Sequence, residues 1–311
     1  MVVFELAVLI AGLAVISFCS EKTVEYSTHI GHSLKVPPII IGVLLVSVGT
    51  DIPEIANSIF SSYSGHGDIN VGNALGSCLT QISLILGLVA ILGGTVMAHR
   101  RNILVLGLCA TVAVGAAAIT ILDGQLDRTD AALLILLYIV LIAVSMKFVI
   151  GEYGEKGIDL SMMKNNLPKT FILLVMALVG VVIGAMLVVE SVINISTVIG
   201  IPEYFVSFFV IGLGTSLPEL SVELAAIKKK RFGLLIGDLM GSNITDATLA
   251  LGIGPLLFPT KISGEIIMPV ALYVIIASVI IVGLFAWREK IDKKAAVILI
   301  GLYLLSFVFI R

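Results

Sequence analysis

Charge is scarce in this chain of 311 residues: Asp, Glu, Lys and Arg together make up 13% of it, against about 25% in soluble globular domains. Cysteine is rarer still. Cys19, Cys78 and Cys109 each sit inside an apolar run without metal-type spacing, which excludes a disulfide framework and a zinc site and leaves packing as their role. Hydrophilic sequence is almost missing. The one sizeable stretch, about Gly151 to Leu167, is too short for a regulatory domain and holds no phosphate-binding loop, so nucleotide hydrolysis by this chain is not expected. The N-terminal run lacks a basic leader, and Phe18 stands before Cys19 where a lipidation signal needs a small residue. It is therefore expected to stay as a helix.

What is abundant is apolar: 59% of residues are hydrophobic and the mean hydropathy is +1.15. Runs of about 20 residues, the length that crosses the hydrocarbon core as a helix, fall at roughly 2–20, 38–62, 70–97, 102–122, 131–149, 168–193, 204–227, 234–258, 266–287 and 295–310. They lack the alternation of outer-membrane strands, so helices are the reading that satisfies the backbone in lipid. The expected fold class is an all-α integral membrane protein of ten transmembrane helices.

Gly49 to Glu54 reads GTDIPE and Gly214 to Glu219 reads GTSLPE, 165 residues apart. The same offset pairs Glu25 with Glu190, Pro37 with Pro202, Gly72 with Gly237, Gly76 with Gly241, Ser77 with Ser242 and Gly87 with Gly252, without a gap. Such a register marks an internal duplication. The expected domains are a first five-helix repeat over 1–150, a cytoplasmic linker over 151–167 and a second repeat over 168–311. Lys and Arg concentrate in alternate loops, at Lys35, Arg100, Arg101, Lys147, Lys156, Lys164, Lys169, Lys228 to Arg231, Arg288, Lys290, Lys293 and Lys294, while the opposite loops hold Arg128, Lys261 and Arg311. The positive-inside rule then places both termini outside a cell membrane. These basic residues are explained by topology and give no reason to expect nucleic acid as a partner. With an odd number of spans, the two halves must be inverted relative to each other, which is the plan of secondary transporters.

A carboxylate near the bilayer centre costs at least about 2.5–3.5 kcal/mol on insertion scales, so Glu54 and Glu219 imply function. An in-plane two-fold axis lets them face each other only near the midplane. Pro53 and Pro218 cannot donate to the carbonyls of Gly49 and Gly214, so both helices are expected to break there. Freed carbonyls, with Thr50, Thr215, Ser216 and the two glutamates, form an oxygen cage suited to hard cations, and calcium with its six to eight oxygens fits it. A second stripe follows at spacing four: Asn73, Ser77 and Gln81 in one copy, Asp238, Ser242 and Asp246 in the other.

GTDIPE followed by GNALGSCLTQ, and GTSLPE followed by GDLMGSNITD, resemble the paired repeats of the calcium/cation antiporter superfamily, in particular its prokaryotic sodium/calcium exchangers. The resemblance implies that Glu54 and Glu219 are central calcium ligands, with backbone oxygens near Ser47 and Gly212. It makes Thr50, Ser77, Thr215, Ser216 and Ser242 further sodium or calcium ligands and Asp246 a third acid. It also implies calcium and sodium as transported ions, no cofactor, and alternating access with segments 1 and 6 sliding across the other eight.

Two positions depart from the family pattern: Asp51 stands where Ser is usual, and Gln81 where a shorter Asn or Asp is usual. Asp51, Glu54, Glu219 and Asp246 are more charge than one divalent ion neutralises, so either further cations bind or one carboxyl keeps its proton. Alternatively, Asp51 turns away to cap the helix at Pro53. Proton/calcium exchange is the alternative activity. An intramembrane aspartyl protease is a remote one, disfavoured because Leu235 stands where its GxGD signature needs Gly. Glu223 is expected to pair with Lys228 at a helix end, and Asp238 to be either an N-terminal helix acid or a vestibule residue. Glu25 and Glu190 read as interfacial acids, and His29, His32, His66 and His99 are expected to face water.

The orientation is testable by single-cysteine labelling in a cysteine-free background. An impermeant maleimide on intact cells is expected to label His66→Cys and spare Lys156→Cys; the opposite pattern would invert the topology.

Overall fold

The computed structural model describes residues 2–149, 167–198, 216–262 and 264–309. The expected linker therefore lies outside the described residues apart from Leu167, as do Gly212, Thr215 and most of the seventh apolar run before Ser216.

Amides in lipid must be paired within their own segment, and the apolar runs are helical accordingly. In chain order the helices are α1 (Val2–Leu34), α2 (Pro38–Ile41), α3 (Ser47–Thr50), α4 (Ile52–Tyr63), α5 (Gly67–Leu79), α6 (Leu86–Leu92), α7 (Arg100–Thr120), α8 (Arg128–Phe148), α9 (Leu167–Val198), α10 (Leu217–Lys228), α11 (Phe232–Thr245), α12 (Leu251–Leu257), α13 (Gly264–Arg288) and α14 (Lys293–Phe309). Wider π-helical turns join some of them, at Gly42–Val46, Thr80–Ile85 and Asp246–Ala250. Among the described residues, six helices are long and apolar enough to cross a membrane, and the bent pair formed by Pro38–Thr50 and Ile52–Tyr63 makes a seventh.

α1 is longer than its apolar run, because the charges beyond Ser20 do not break it. Lys22 Nζ lies 2.8 Å from Glu25 Oε2, a pair three residues apart on one half-exposed face. The helix stops where Lys35 takes φ 55 and the Val36 amide donates back to the Gly31 carbonyl at 2.8 Å, just before Pro37. The extension corrects one expectation. His29 is a buried residue of α1, 2% exposed, whereas His32 and His66 are exposed.

The duplication recurs as structure. α4 and α10 have 12 residues each, α6 and α12 have 7 each, and in both pairs the second copy starts at the first plus the sequence offset. Four two-residue strands were not anticipated: β1 (Val96–Met97), β2 (Gln125–Leu126), β3 (Thr260–Lys261) and β4 (Lys290–Ile291). β1 pairs antiparallel with β4 in the register Val96↔Ile291, and β2 with β3 in the register Gln125↔Lys261. The offset carries β1 onto β3 within one residue and β2 onto β4, so the two ladders are one contact made twice.

Equivalent residues also touch each other. Gln81 Nε2 donates to Asp246 Oδ2 at 3.1 Å, and Cys78 Sγ to the Asn243 carbonyl at 3.5 Å, each across a separation of 165. The first helices of the two halves run antiparallel: Asn194 Nδ2 donates to Glu5 Oε1 at 3.2 Å, a Cβ on Gly184 would lie 3.1 Å from the Gly12 carbonyl, and Gly180 abuts Cys19.

Polarity is inside out. Leu108, Ile119, Leu136, Ile139, Ile276 and Val279 are exposed, while Asp51, Gln81, Glu223, Asp238, Asn243 and Asp246 are each 0% exposed. A bilayer solvates the first set, and the second requires partners. At the centre stands α11, with all its residues buried. Its glycines let the backbone of α2, in the first half, come close, since a Cβ on Gly237 would lie 2.0 Å from the Ile39 carbonyl oxygen.

Gly237→Ala is accordingly expected to destabilise the purified protein by about 1–3 kcal/mol through overpacking, read as a lower unfolding midpoint. Gly283→Ala, at a position with nothing within 4 Å, is expected to leave the midpoint unchanged.

Candidate functional site

The break between α3 and α4 builds the site. Pro53 has no amide hydrogen for the carbonyl of Gly49, and the two helices meet at Asp51 (φ −78, ψ 7) with a bend of 47°. The expected break is thus a kink at one residue: Asp51 N still donates to the Ser47 carbonyl at 2.9 Å and Ile55 N to the Asp51 carbonyl at 3.0 Å. Ser216, at the matching position before α10, takes nearly the same dihedrals, φ −94 and ψ 9. Glu54 and Glu219 consequently stand in the first turns of α4 and α10, at the positive ends of two short helix dipoles.

Asp51, Glu54 and Glu219 are 0%, 2% and 1% exposed, and one carboxylate oxygen of each lies within 4.8 Å of the others. At an effective dielectric near 20, each ionised pair at this spacing repels by about 3–4 kcal/mol. None of their six oxygens has a hydrogen-bond partner among the described residues. Asp51 makes no capping bond to α4, so the cap is not what holds it. Asp246 is close enough to act electrostatically on Asp51 and Glu54, and its Oδ1 is also unpaired.

The remaining expected ligands divide. Ser77, Ser216 and Ser242 are buried, and the Ser242 hydroxyl has no partner. The Thr50 hydroxyl lies 3.1 Å from the carbonyls of Val46 and Ser47 and 3.5 Å from Asp238 Oδ1. Ser47 is engaged already, its hydroxyl donating to the Val43 carbonyl at 2.7 Å and its own carbonyl accepting from Asp51 and Thr50. Gln81 is held from both ends: its Nε2 donates to Asp246, and its Oε1 accepts from Asn243 Nδ2 at 2.9 Å. It fixes Asp246 rather than offering a free oxygen.

Asn243 was missed in the sequence, where its equivalent is Cys78 and the repeat gives no polar signal. Glu223 corrects another expectation. It is 0% exposed, and neither carboxylate oxygen has a partner, Lys228 included. Five residues turn a helix by roughly 140° beyond a full circle, so the two side chains leave on different faces. Asp238 is fully buried in the second turn of α11, facing Thr50.

A family model described as sodium/calcium exchanger protein matches residues 4–147 and 169–311. An uncharacterized membrane protein of Methanocaldococcus jannaschii is 31% identical over 100% of this chain and 99% of its own. The sodium/calcium exchanger MaX1 of Methanosarcina acetivorans is 26% identical over 97% of each. Among solved structures, the sodium-calcium exchanger NCX_Mj superposes with a TM-score of 0.83 at 29% identity, covering both chains completely.

Asp51 supplies the test of this geometry. Asp51→Asn and Asp51→Ser are expected to keep cation binding while changing the number of charges bound per chain or weakening its pH dependence, measured by ion binding to purified protein across pH. Unchanged stoichiometry and pH profile in both variants would remove Asp51 from the site.

Proposed function

We propose that this chain, which belongs to the sodium/calcium exchanger protein family, is a secondary active antiporter that moves calcium against sodium across the cell membrane by alternating access. The observation that carries the reading is the meeting of Glu54 and Glu219, two symmetry-equivalent buried acids, beside Asp51 within 4.8 Å. Hard cations are bound by such all-oxygen sets. Glu54, Glu219, Asp51 and Asp246 supply the charge. Thr50, Thr215, Ser77, Ser216 and Ser242, with backbone oxygens near Ser47 and Gly212, complete the shell for calcium and sodium, and Gln81 positions Asp246.

The architecture in this reading is ten helices in two inverted five-helix repeats, 1–150 and 168–311, joined by a cytoplasmic linker at 151–167 with both termini outside. The antiparallel crossing of α1 and α9 and the twice-made strand ladder support inversion. The ladders also support the alternation of sides, since each joins loops that the charge pattern assigns to the same face. Ile16, Ala185 and Val188 form a small apolar cluster separate from the main core, which suits α1 and α9 to slide as a pair over the other helices.

The test is calcium flux into vesicles containing the purified protein, with sodium and proton gradients imposed separately. Uptake is expected to follow the sodium gradient at fixed pH; uptake driven by a pH gradient alone would reject sodium coupling. Glu54→Gln and Glu219→Gln each remove one charged ligand, a loss of about 2–5 kcal/mol, and are expected to bring flux down at least about thirtyfold while the protein stays monodisperse. Substantial flux through both would reject the site.

A further inference from the structure

The two repeats are not equally acidic. On the second-segment helices, Ser58 in α4 corresponds to Glu223 in α10. On the third-segment helices, Asn73 in α5 corresponds to Asp238 in α11. In the first copy the polar group is satisfied: the Ser58 hydroxyl accepts from Gly254 N at 3.1 Å and reaches the Leu251 carbonyl at 3.5 Å. In the second copy both positions have become acids on neighbouring helices. Glu223 and Asp238 are each 0% exposed, and Glu223 Oε1, Glu223 Oε2 and Asp238 Oδ2 have no partner among the described residues. Only Asp238 Oδ1 is approached, by the Thr50 hydroxyl at 3.5 Å.

Buried polar groups are nearly always paired, and buried charges are paired or bind cations. Among the described residues no basic side chain is bonded to either acid. Lys229, at the end of α10, donates to the Glu21 carbonyl at 2.8 Å, and Lys228 is exposed. Other acids stand nearby instead: α11, which carries Asp238, packs against α10, which carries Glu219 and Glu223, and against α3, which ends next to Asp51.

We propose that Glu223 and Asp238, with the Thr50 hydroxyl, form a second hard-cation site, one helical turn beyond Glu219 along α10 toward its Lys228 end. A turn is about 5.4 Å, far enough to hold a separate ion and near enough for that ion to be felt at Glu219. Carboxylate and hydroxyl oxygens select hard cations, and one divalent ion neutralises the pair. The inference rests on the reading of the chain as a cation carrier.

The test compares wild type with a double variant carrying the first-half residues, Glu223→Ser with Asp238→Asn, which the equivalent positions of the same fold accept. Equilibrium dialysis of purified protein is run once with radioactive calcium alone and once with radioactive sodium alone. The double variant is expected to bind one ion fewer per chain, and the arm that shows the loss identifies the ion. Equal stoichiometry in both arms, or a change in proton uptake with neither ion affected, overturns the proposal. Glu223→Gln, nearly isosteric, repeats the comparison if the double variant does not purify. Glu54→Gln is measured alongside: if it binds as wild type does, the central site fails, whatever the result at Glu223.

Discussion

The packing of this fold answers to a crowding of negative charge in an interior where, among the described residues, no lysine or arginine is buried. Asp51, Glu54 and Glu219 share a space less than 5 Å across, and Asp246, Asp238 and Glu223 surround it. A soluble protein would screen such a group with solvent or pair it with a guanidinium. Here the backbone does part of the work: α4 and α10 begin at the site, so their unpaired first amides face the glutamates. The kink at Asp51 creates such a beginning partway along an apolar run. What the helix ends leave unneutralised is the charge that a mobile cation would offset in the proposed carrier.

The repeat offset reappears beside the converging helix ends. Gln81 reaches Asp246 and Cys78 reaches the Asn243 carbonyl, each across 165 residues, so equivalent stretches of the two halves lie side by side there. Near-symmetric scaffolding with asymmetric chemistry is the result. Gln81 faces Asp246, Asp51 corresponds to Ser216, and Ser58 and Asn73 correspond to Glu223 and Asp238. The duplication gives each position a counterpart, and substitution then makes the two copies different, so one contact carries an amide from one half and a carboxylate from the other.

Much of this is legible in the sequence because it is repetitive. Hydropathy marks the membrane class, the offset marks the duplication, and Pro after Gly-Thr marks the kink. Buried acids in lipid are conspicuous by their cost. Other features leave weaker marks. The π-turns at Thr80–Ile85 and Asp246–Ala250 contain neither Gly nor Pro, so no breaker residue announces them. α1 runs on past its apolar stretch because Lys22 and Glu25 satisfy each other, and so His29 is carried into the interior. The Glu223 expectation failed on helical phase, since proximity in sequence to Lys228 did not put them on one face. Asn243 was hidden by its counterpart, a cysteine.

The strand ladders are the smallest elements in the molecule, yet each ties a loop of the first half to a loop of the second. α1 and α9 carry no such tie. An order of assembly follows: neither face can be closed until the ribosome has delivered the last third of the chain, because β3 and β4 are the late partners of β1 and β2. Each half thus supplies strands whose partners lie in the other half.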